Sequence, residues 1–384
     1  MENFVYHHPV KIIFGRQALD QLNKELTALG RRVLLVYGQN SAVRSGLHGR
    51  ITDLLNGSGI ELIEFAGVRP NPLHSTVQQG ILRAREAHCE TIVAVGGGSV
   101  MDTAKAISAG VLVAHDVWQF FNGKKSVRQS LPLITIPTAA GSGSETNHGM
   151  VITHDEHGLK FGFAHRHLYP RVCLADPSLT CTVPTDQTIY GCVDALCHCL
   201  EPYLTTKAAG IEFQRRFLES TAQTLIEATR GCLENPGSFT LRSALLWSSM
   251  MAMSPISTAG LGRVYHSLHV LEHGLSALHE IPHGAGLAAL LTSWLTCHLE
   301  QFRVPISRWG EKVFDLGGAE KPSATIDAVR GLLESLGVPL SLGDLGLTEQ
   351  DLGAVASHAA AQLEVRRIPG LDEARALEIL KRAL

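Results

Sequence analysis

Apolar positions in the first third of the chain come in short unbroken runs. Val33-Leu34-Leu35-Val36-Tyr37 closes on Gly38, and Thr91-Ile92-Val93-Ala94-Val95 stops at Gly96-Gly97-Gly98-Ser99. Leu133-Ile134-Thr135-Ile136 ends at Pro137. Runs this short, with no polar face, suit strands buried on both sides of a parallel sheet. Residues 60–65 predict one more strand, and Pro70-Asn71-Pro72 a rigid turn. Helical stretches are predicted between them at 41–55, 75–88 and 101–113. The β-α-β-α order predicts an open parallel sheet with helices on both faces.

From about Pro184 the texture changes. Long apolar or amphipathic helical stretches are predicted at 187–204, 212–233, 239–259, 266–278 and 286–299, with further helices over 306–384. A chain of 384 residues favours two domains over one. The expected division is residues 1–180, an α/β domain, and residues 181–384, all helical.

Composition narrows the function. Apolar residues make up 45% and charged residues 18%, which excludes disorder and a charge-driven tail. A net charge of −3 gives no global attraction to nucleic acid or to an anionic membrane surface. No apolar run reaches the roughly 18 residues of a membrane span. Met1-Glu2-Asn3-Phe4 carries an acid and no apolar h-region, so no secretory leader is expected. The cysteines form no Cys-x-x-Cys pair, and reduced thiols in the cytoplasm are the expectation.

The chemistry concentrates in two places. Gly96-Gly97-Gly98-Ser99-Val100-Met101-Asp102 follows a buried strand and opens a helix. Bare backbone amides and a helix N-terminus together make an anion cradle. Ser99 with Asp102 has the spacing of a capping box. The stretch Thr138-Ala139-Ala140-Gly141-Ser142-Gly143-Ser144-Glu145 follows the next strand. Two such loops at carboxyl ends of strands lie on the edge where open α/β sheets bind ligands. Near the first strand, Gly38-Gln39-Asn40-Ser41-Ala42-Val43-Arg44 contains no acid to hold a ribose 2′-hydroxyl. Its amide, hydroxyl and guanidinium favour a 2′-phosphate, hence NADP(H) over NAD(H), with Asn40 and Ser41 as contacts. Arg44 is equally readable as a surface helix residue.

The second place is imidazole-rich. Asp194 and His198 are four apart and share a helix face. His266, His269 and His273 share another, that helix must end before Pro282, and His283 follows at the turn. One carboxylate and several imidazoles suit a borderline divalent cation: Fe(II), Zn(II), Mn(II) or Co(II). Spacing alone nominates His269 with His273 and leaves the actual ligands open. Cys192, Cys197 and Cys199 are rival donors read as small buried hydrophobes.

These motifs together resemble the iron-dependent (metal-containing, group III) alcohol dehydrogenase family. The resemblance runs over Phe14-Gly15, Pro70-Asn71-Pro72, the Gly-Gly-Gly-Ser loop with Asp102 and Lys105, Thr138 to Glu145, Asp176-Pro177, Asp194 with His198, His269-x3-His273-x9-His283, and Leu336-Gly337-Val338-Pro339. Within it the chain looks most like NADPH-dependent aldehyde reductases and butanol dehydrogenases. The resemblance implies a dehydroquinate synthase-like architecture: a dinucleotide-binding α/β domain, then an all-helical metal-binding domain. It implies that Asp194, His198, His269 and His283 hold the metal, Fe(II) first and Zn(II) as the alternative. It also implies that His273 stands beside the metal as the catalytic imidazole. Gly38, Gly97, Gly98, Ser99, Asp102, Thr138, Ser142 and Lys160 match cofactor-contacting positions. Reversible hydride transfer between NAD(P)H and short-chain aldehydes or primary alcohols, in a homodimer, is then the expected activity. A lyase of the dehydroquinate synthase type resembles the chain less, since that family has Glu where Asp194 stands. A non-catalytic nucleotide-binding relative conflicts with the intact ligand set. Asn147-His148 has no assigned role, and His279 is a candidate for lining the substrate pocket.

Overall fold

The computed structural model describes residues 1–39, 41–317 and 321–384; Asn40, one of the expected cofactor contacts, lies outside them. The chain forms two compact units. One comprises His8–Pro184 with Gly231–Met250, the other Met1–His7, Thr185–Arg230 and Met251–Leu384. The helix Glu212–Glu234 therefore begins in one unit and ends in the other.

The first unit holds the strands β1 (Lys11–Phe14), β2 (Arg32–Gly38), β3 (Glu61–Val68), β4 (Thr91–Gly96), β5 (Leu133–Pro137), β6 (Gly149–His154), β7 (Leu159–Ala164) and β8 (Val172–Ala175). Six of them make one sheet in the order β1-β8-β5-β4-β2-β3, and every pairing is parallel. β6 and β7 form a separate antiparallel hairpin. The apolar runs fill both faces. Val33, Leu35, Val93, Val95, Ile134 and Ile136 join one core layer with Leu22, Leu26, Leu47 and Ile51. Their alternates Leu34, Val36, Ile92, Ala94 and Thr135 are buried on the opposite face.

The second unit is helical. Its main elements are Thr185–Thr205, Ser267–His279, His283–Cys297, Arg303–Phe314, Pro322–Leu336, Glu349–Arg366 and Glu373–Ala383. His283–Cys297 packs on Thr185–Thr205, on Ser267–His279 and on Glu373–Ala383, and Ser267–His279 also packs on Glu349–Arg366. Trp294, in the last turn of His283–Cys297, is fully buried.

Three local departures have physical reasons. The stretch expected to be one helix over 41–55 is two, Ser41–Arg44 and Leu47–Leu55, because Gly46 turns left-handed at φ +74° between them. The stretch 239–259 stops at Ala252, and a separate turn, Pro255–Thr258, begins where Pro255 lacks the N–H to continue it. The last predicted long helix starts earlier than 286, at His283, directly after Pro282. This last departure puts His283 in a first helical turn.

Candidate functional site

In the helical unit, one carboxylate oxygen gathers three imidazoles. His198 Nε2 and His269 Nε2 each lie 3.4 Å from Asp194 Oδ1, and His283 Nε2 lies 3.6 Å from the same atom. The His198 and His269 rings are stacked, with centroids 4.6 Å apart and planes 8° apart. Asp194, His198 and His269 are at most 7% exposed. The helical spacing explains Asp194 and His198. Only the packing of Thr185–Thr205 against Ser267–His279 and His283–Cys297 brings in His269 and His283.

Two acids stand behind these rings. His269 donates through Nδ1 to Glu201 Oε2, and His283 donates through Nδ1 to Glu272 Oε2. Both acids are 0% exposed. Glu201 also accepts from the Leu268 N–H at 2.6 Å, and Glu272 from the Ser276 hydroxyl. A carboxylate on Nδ1 fixes the tautomer and turns the Nε2 lone pair inward. Sequence reasoning missed both acids. The signal was present, since Glu201 is three residues beyond His198 and Glu272 three beyond His269, so each shares a helix face with a candidate ligand, although each bonds an imidazole of another helix.

The electrostatics ask for a cation. Burial alone would raise the Asp194 carboxyl, but His198 first, then His269 and His283, hold it well below the usual carboxylate range. Burial drives His198 down to about 3, so its ring is neutral and its lone pair available. Burial likewise disfavours a charged His269, yet Glu201 and Asp194 outweigh it and raise that ring to about 10. Asp194, Glu201 and Glu272 are three buried carboxylates close together, a charge that is costly to bury unless a cation joins it. The donor set and its charge fit one divalent cation. The thiols do not compete, because Cys192, Cys197 and Cys199 are fully buried and burial pushes Cys197 and Cys199 far up.

His273 is not part of this convergence. It is buried one turn beyond His269, and the Gln362 amide lies 3.1 to 3.3 Å from its Nδ1. Its ring centroid is 5.8 Å from that of His283. His266, the remaining candidate, sits at the helix N-cap with Nδ1 3.7 Å from Glu201. His279 is exposed at the helix C-terminus, beside Asp351.

In the sheet unit, the two glycine-rich loops meet. The Thr138 N–H donates to Gly96 O at 3.0 Å, tying the end of β5 to the end of β4. A Cβ on Gly98 would stand 2.5 Å from Ser142 Oγ, so only glycine allows that approach. Gly97 caps the helix Gly98–Gly110 with extended backbone. The expected Ser99/Asp102 capping box does not form: the cap has no side-chain bond. Asp102 instead turns into the protein, where Oδ2 accepts from the Val151 N–H at 2.8 Å and Oδ1 accepts from the Ser144 hydroxyl. The unbonded first-turn amides of Gly98 and Ser99 are then open to an anion.

A buried amine braces this loop. Lys105 donates from Nζ to Ser144 Oγ at 2.8 Å, Asn147 Oδ1 at 3.0 Å and Gly149 O at 2.7 Å. Burial lowers Lys105 to about 8 and raises Asp102. Lys160, on β7, donates to Asn71 Oδ1 at 2.9 Å. His148, next to Asn147, stacks on Tyr169 with centroids 4.7 Å apart. Gly38 ends β2, and Ser41 starts the short helix after it with Arg44 exposed at its close. Glu64, on β3, accepts from the Tyr37 hydroxyl at 2.6 Å and pairs with His48 at 2.9 Å.

Comparison with known proteins follows the same lines. The model for iron-containing alcohol dehydrogenase matches residues 9–177, and that for the C-terminal region of the Fe-containing alcohol dehydrogenase family matches residues 188–384. The chain is 36% identical to a probable NADH-dependent butanol dehydrogenase 1 of Bacillus subtilis (strain 168), over 100% of both chains. It is 31% identical to the NADPH-dependent aldehyde reductase YqhD of Escherichia coli (strain K12), over 98% of both. The crystal structure of an NADH-dependent butanol dehydrogenase A from Thermotoga maritima superposes with a TM-score of 0.96, at 34% identity, covering 100% of this chain and 99% of that one. A six-stranded parallel sheet with a helical unit, and homology over the full length, leave one conclusion: the chain belongs to the iron-containing alcohol dehydrogenase family.

Proposed function

We propose that the protein is an NAD(P)H-dependent alcohol dehydrogenase working as an aldehyde reductase on short-chain aldehydes and primary alcohols. The observation that carries this reading is the convergence of three imidazole Nε2 atoms on one Asp194 oxygen at 3.4 to 3.6 Å, in a chain that also presents open first-turn amides at Gly98 and Ser99. When bound, the dinucleotide supplies a hydride from nicotinamide C4, and the divalent cation, Fe(II) with Zn(II) as the alternative, supplies a Lewis acid for the substrate oxygen.

The residues divide this work. Asp194, His198, His269 and His283 would hold the cation, while Glu201 and Glu272 aim His269 and His283 at it. His273, oriented through Nδ1 by Gln362, passes the proton that the substrate oxygen gains on reduction or loses on oxidation. That proton would balance the charge on the oxygen of the reduced substrate. Gly97, Gly98 and Ser99 take the pyrophosphate, with Thr138, Ser142 and Gly38 lining the rest. Asp102 and Lys160 act through the loops they hold: Asp102 through Val151 and Ser144, Lys160 through Asn71.

For the cofactor we favour NADP(H) over NAD(H). Gly38 to Arg44 carries no acid, Arg44 is exposed, and the nearby Glu64 carboxylate is already bonded to Tyr37 and His48. The relatives include both NADH- and NADPH-dependent enzymes. The reading also carries a cytoplasmic homodimer, which light scattering on the eluted protein would check.

The test is direct. Butanal added to the metal-loaded protein and NADPH should remove the reduced-nicotinamide absorbance, with kcat/KM higher than for NADH. No turnover with either cofactor, in protein shown to contain one equivalent of metal, sinks the assignment.

A further inference from the structure

A second imidazole cluster lies in the sheet unit and includes none of the residues assigned above. One ligand atom each from His74, His154 and Asp155 lie within 4.8 Å of one another, and the same holds for His154, Glu156 and His157. His154 ends β6, the next four residues make the turn before β7, and His74 opens the helix His74–Glu86.

One ring pair is arranged as in the cation centre. The His74 and His154 rings are stacked with centroids 4.5 Å and planes 16° apart, against 4.6 Å and 8° for His198 and His269. Both His74 and His154 are more than nine-tenths buried. His154 Nδ1 is buried and has no hydrogen-bond partner among the described residues. A buried ring nitrogen without a partner is rare and needs an explanation.

The surroundings supply what a metal site needs. Asp116 Oδ1 accepts from His74 Nε2 at 2.8 Å and from the Trp118 N–H at 2.6 Å. Gln78 Nε2 lies 3.0 Å from that His74 nitrogen and donates to Asp116 Oδ2 at 2.9 Å. The Ser75 N–H donates to Asp155 Oδ1 at 3.2 Å. Trp118 stands edge-on to His154 with centroids 4.9 Å apart. The two segments are already joined, since the Thr153 N–H donates to Pro72 O at 2.8 Å and Leu73 bridges Thr153.

We propose that His74, His154 and Asp155 bind a second divalent transition cation, with His157 and Glu156 beyond His154 and Asp116 behind His74, and that this ion clips the β6–β7 turn to the start of helix His74–Glu86. Imidazole with carboxylate selects a borderline ion, Zn(II) by class. The proposal does not depend on the dehydrogenase reading.

The test counts metal. Holoprotein equilibrated with excess ZnCl2 and then desalted should hold about two equivalents of metal per chain, and the His74→Asn/His154→Asn double variant about one, with butanal turnover retained. Asp194→Ala should lose the other equivalent and keep this one, which separates failure here from failure of the cation centre. If the double variant does not fold, Asp155→Ala on the exposed turn replaces it and should weaken the second equivalent by at least about tenfold. A wild type that stops at one equivalent overturns the proposal. So does a folded double variant, or in its place Asp155→Ala, that binds the second equivalent as wild type does.

Discussion

The cation centre and the glycine cradle solve the binding of charge in opposite ways. At Asp194, charged and polar side chains are brought into a buried place, and further buried side chains, Glu201 and Glu272, hold them there. At Gly98 and Ser99 the proposed binding groups are backbone amides, and at Gly98 what matters is the absence of a side chain. The first site therefore depends on each functional group present. The second depends on space, and an added methyl group threatens it more than the loss of any polar atom. Substitutions at the two sites should differ in kind as well as size.

The largest expected effect is at the shared carboxylate. Asp194→Asn keeps the shape and removes the charge on which three imidazoles converge. Metal content should fall to background, and turnover by at least about 10³-fold, the scale of losing a main transition-state charge. Elemental analysis beside a steady-state assay decides it, and a variant retaining both metal and turnover would remove Asp194 from the centre.

Glu201→Gln is milder. The amide can still meet His269, but it neither fixes the tautomer nor raises the ring's basicity. Metal affinity should drop by about 10- to 100-fold, the range for groups that orient ligands, and added metal should restore turnover. Competition with a chromophoric chelator measures it. Unchanged affinity would make Glu201 a bystander.

At the cradle, Gly98→Ala places Cβ against Ser142 Oγ. Overpacking of this kind costs about 1–3 kcal/mol, so KM for the dinucleotide should rise by at least about fivefold while metal content stays at wild-type level. Combining it with Ser142→Gly should recover most of the loss. A double variant as poor as Gly98→Ala would show that space at this contact is not the issue.

The smallest effect is a pH slope. Lys105 binds its proton less tightly folded, at about 8, than in the unfolded chain, near 10.5. Between those values the unfolded state holds more protons, so this amine's contribution to stability rises with pH from about 8 toward 10.5 and is flat below. Denaturant melts of wild type against Lys105→Met should show a gain on the order of 1 kcal/mol across that window, absent in the variant. Parallel slopes in the two proteins would mean that Lys105 is not a buried cation.

Much of this molecule was legible along the chain because its signals are local. The unbroken runs at Val33, Thr91 and Leu133 became β2, β4 and β5, and the glycine turns fell at their carboxyl ends. β1 and β8 escaped notice: each is four residues long, and β8 is a strand because β1 and β5 flank it. The hairpin β6–β7 also went unread, though it carries Lys160 and the backbone N–H that holds Asp102. Asp102 shows the limit clearly. Its spacing from Ser99 fits a helix cap, and the Ser144 hydroxyl and the Val151 N–H, both more than forty residues away, drew it inward instead.

The sequence alone determined that Asp194 and His198 share one helix face and that His269 and His273 share another, because the repeat of about 3.6 residues per turn is fixed by the backbone. It determined equally that bare amides follow β4. Which imidazoles join Asp194 was decided by tertiary structure. His269 and His283 reach it and His273 does not, and helix packing set the buried acids behind them, Glu201 68 residues from His269 and Glu272 11 residues from His283. Periodicity describes a face; only the folded core says what that face meets, since the energy of burying charge belongs to the whole enclosure and not to any one segment.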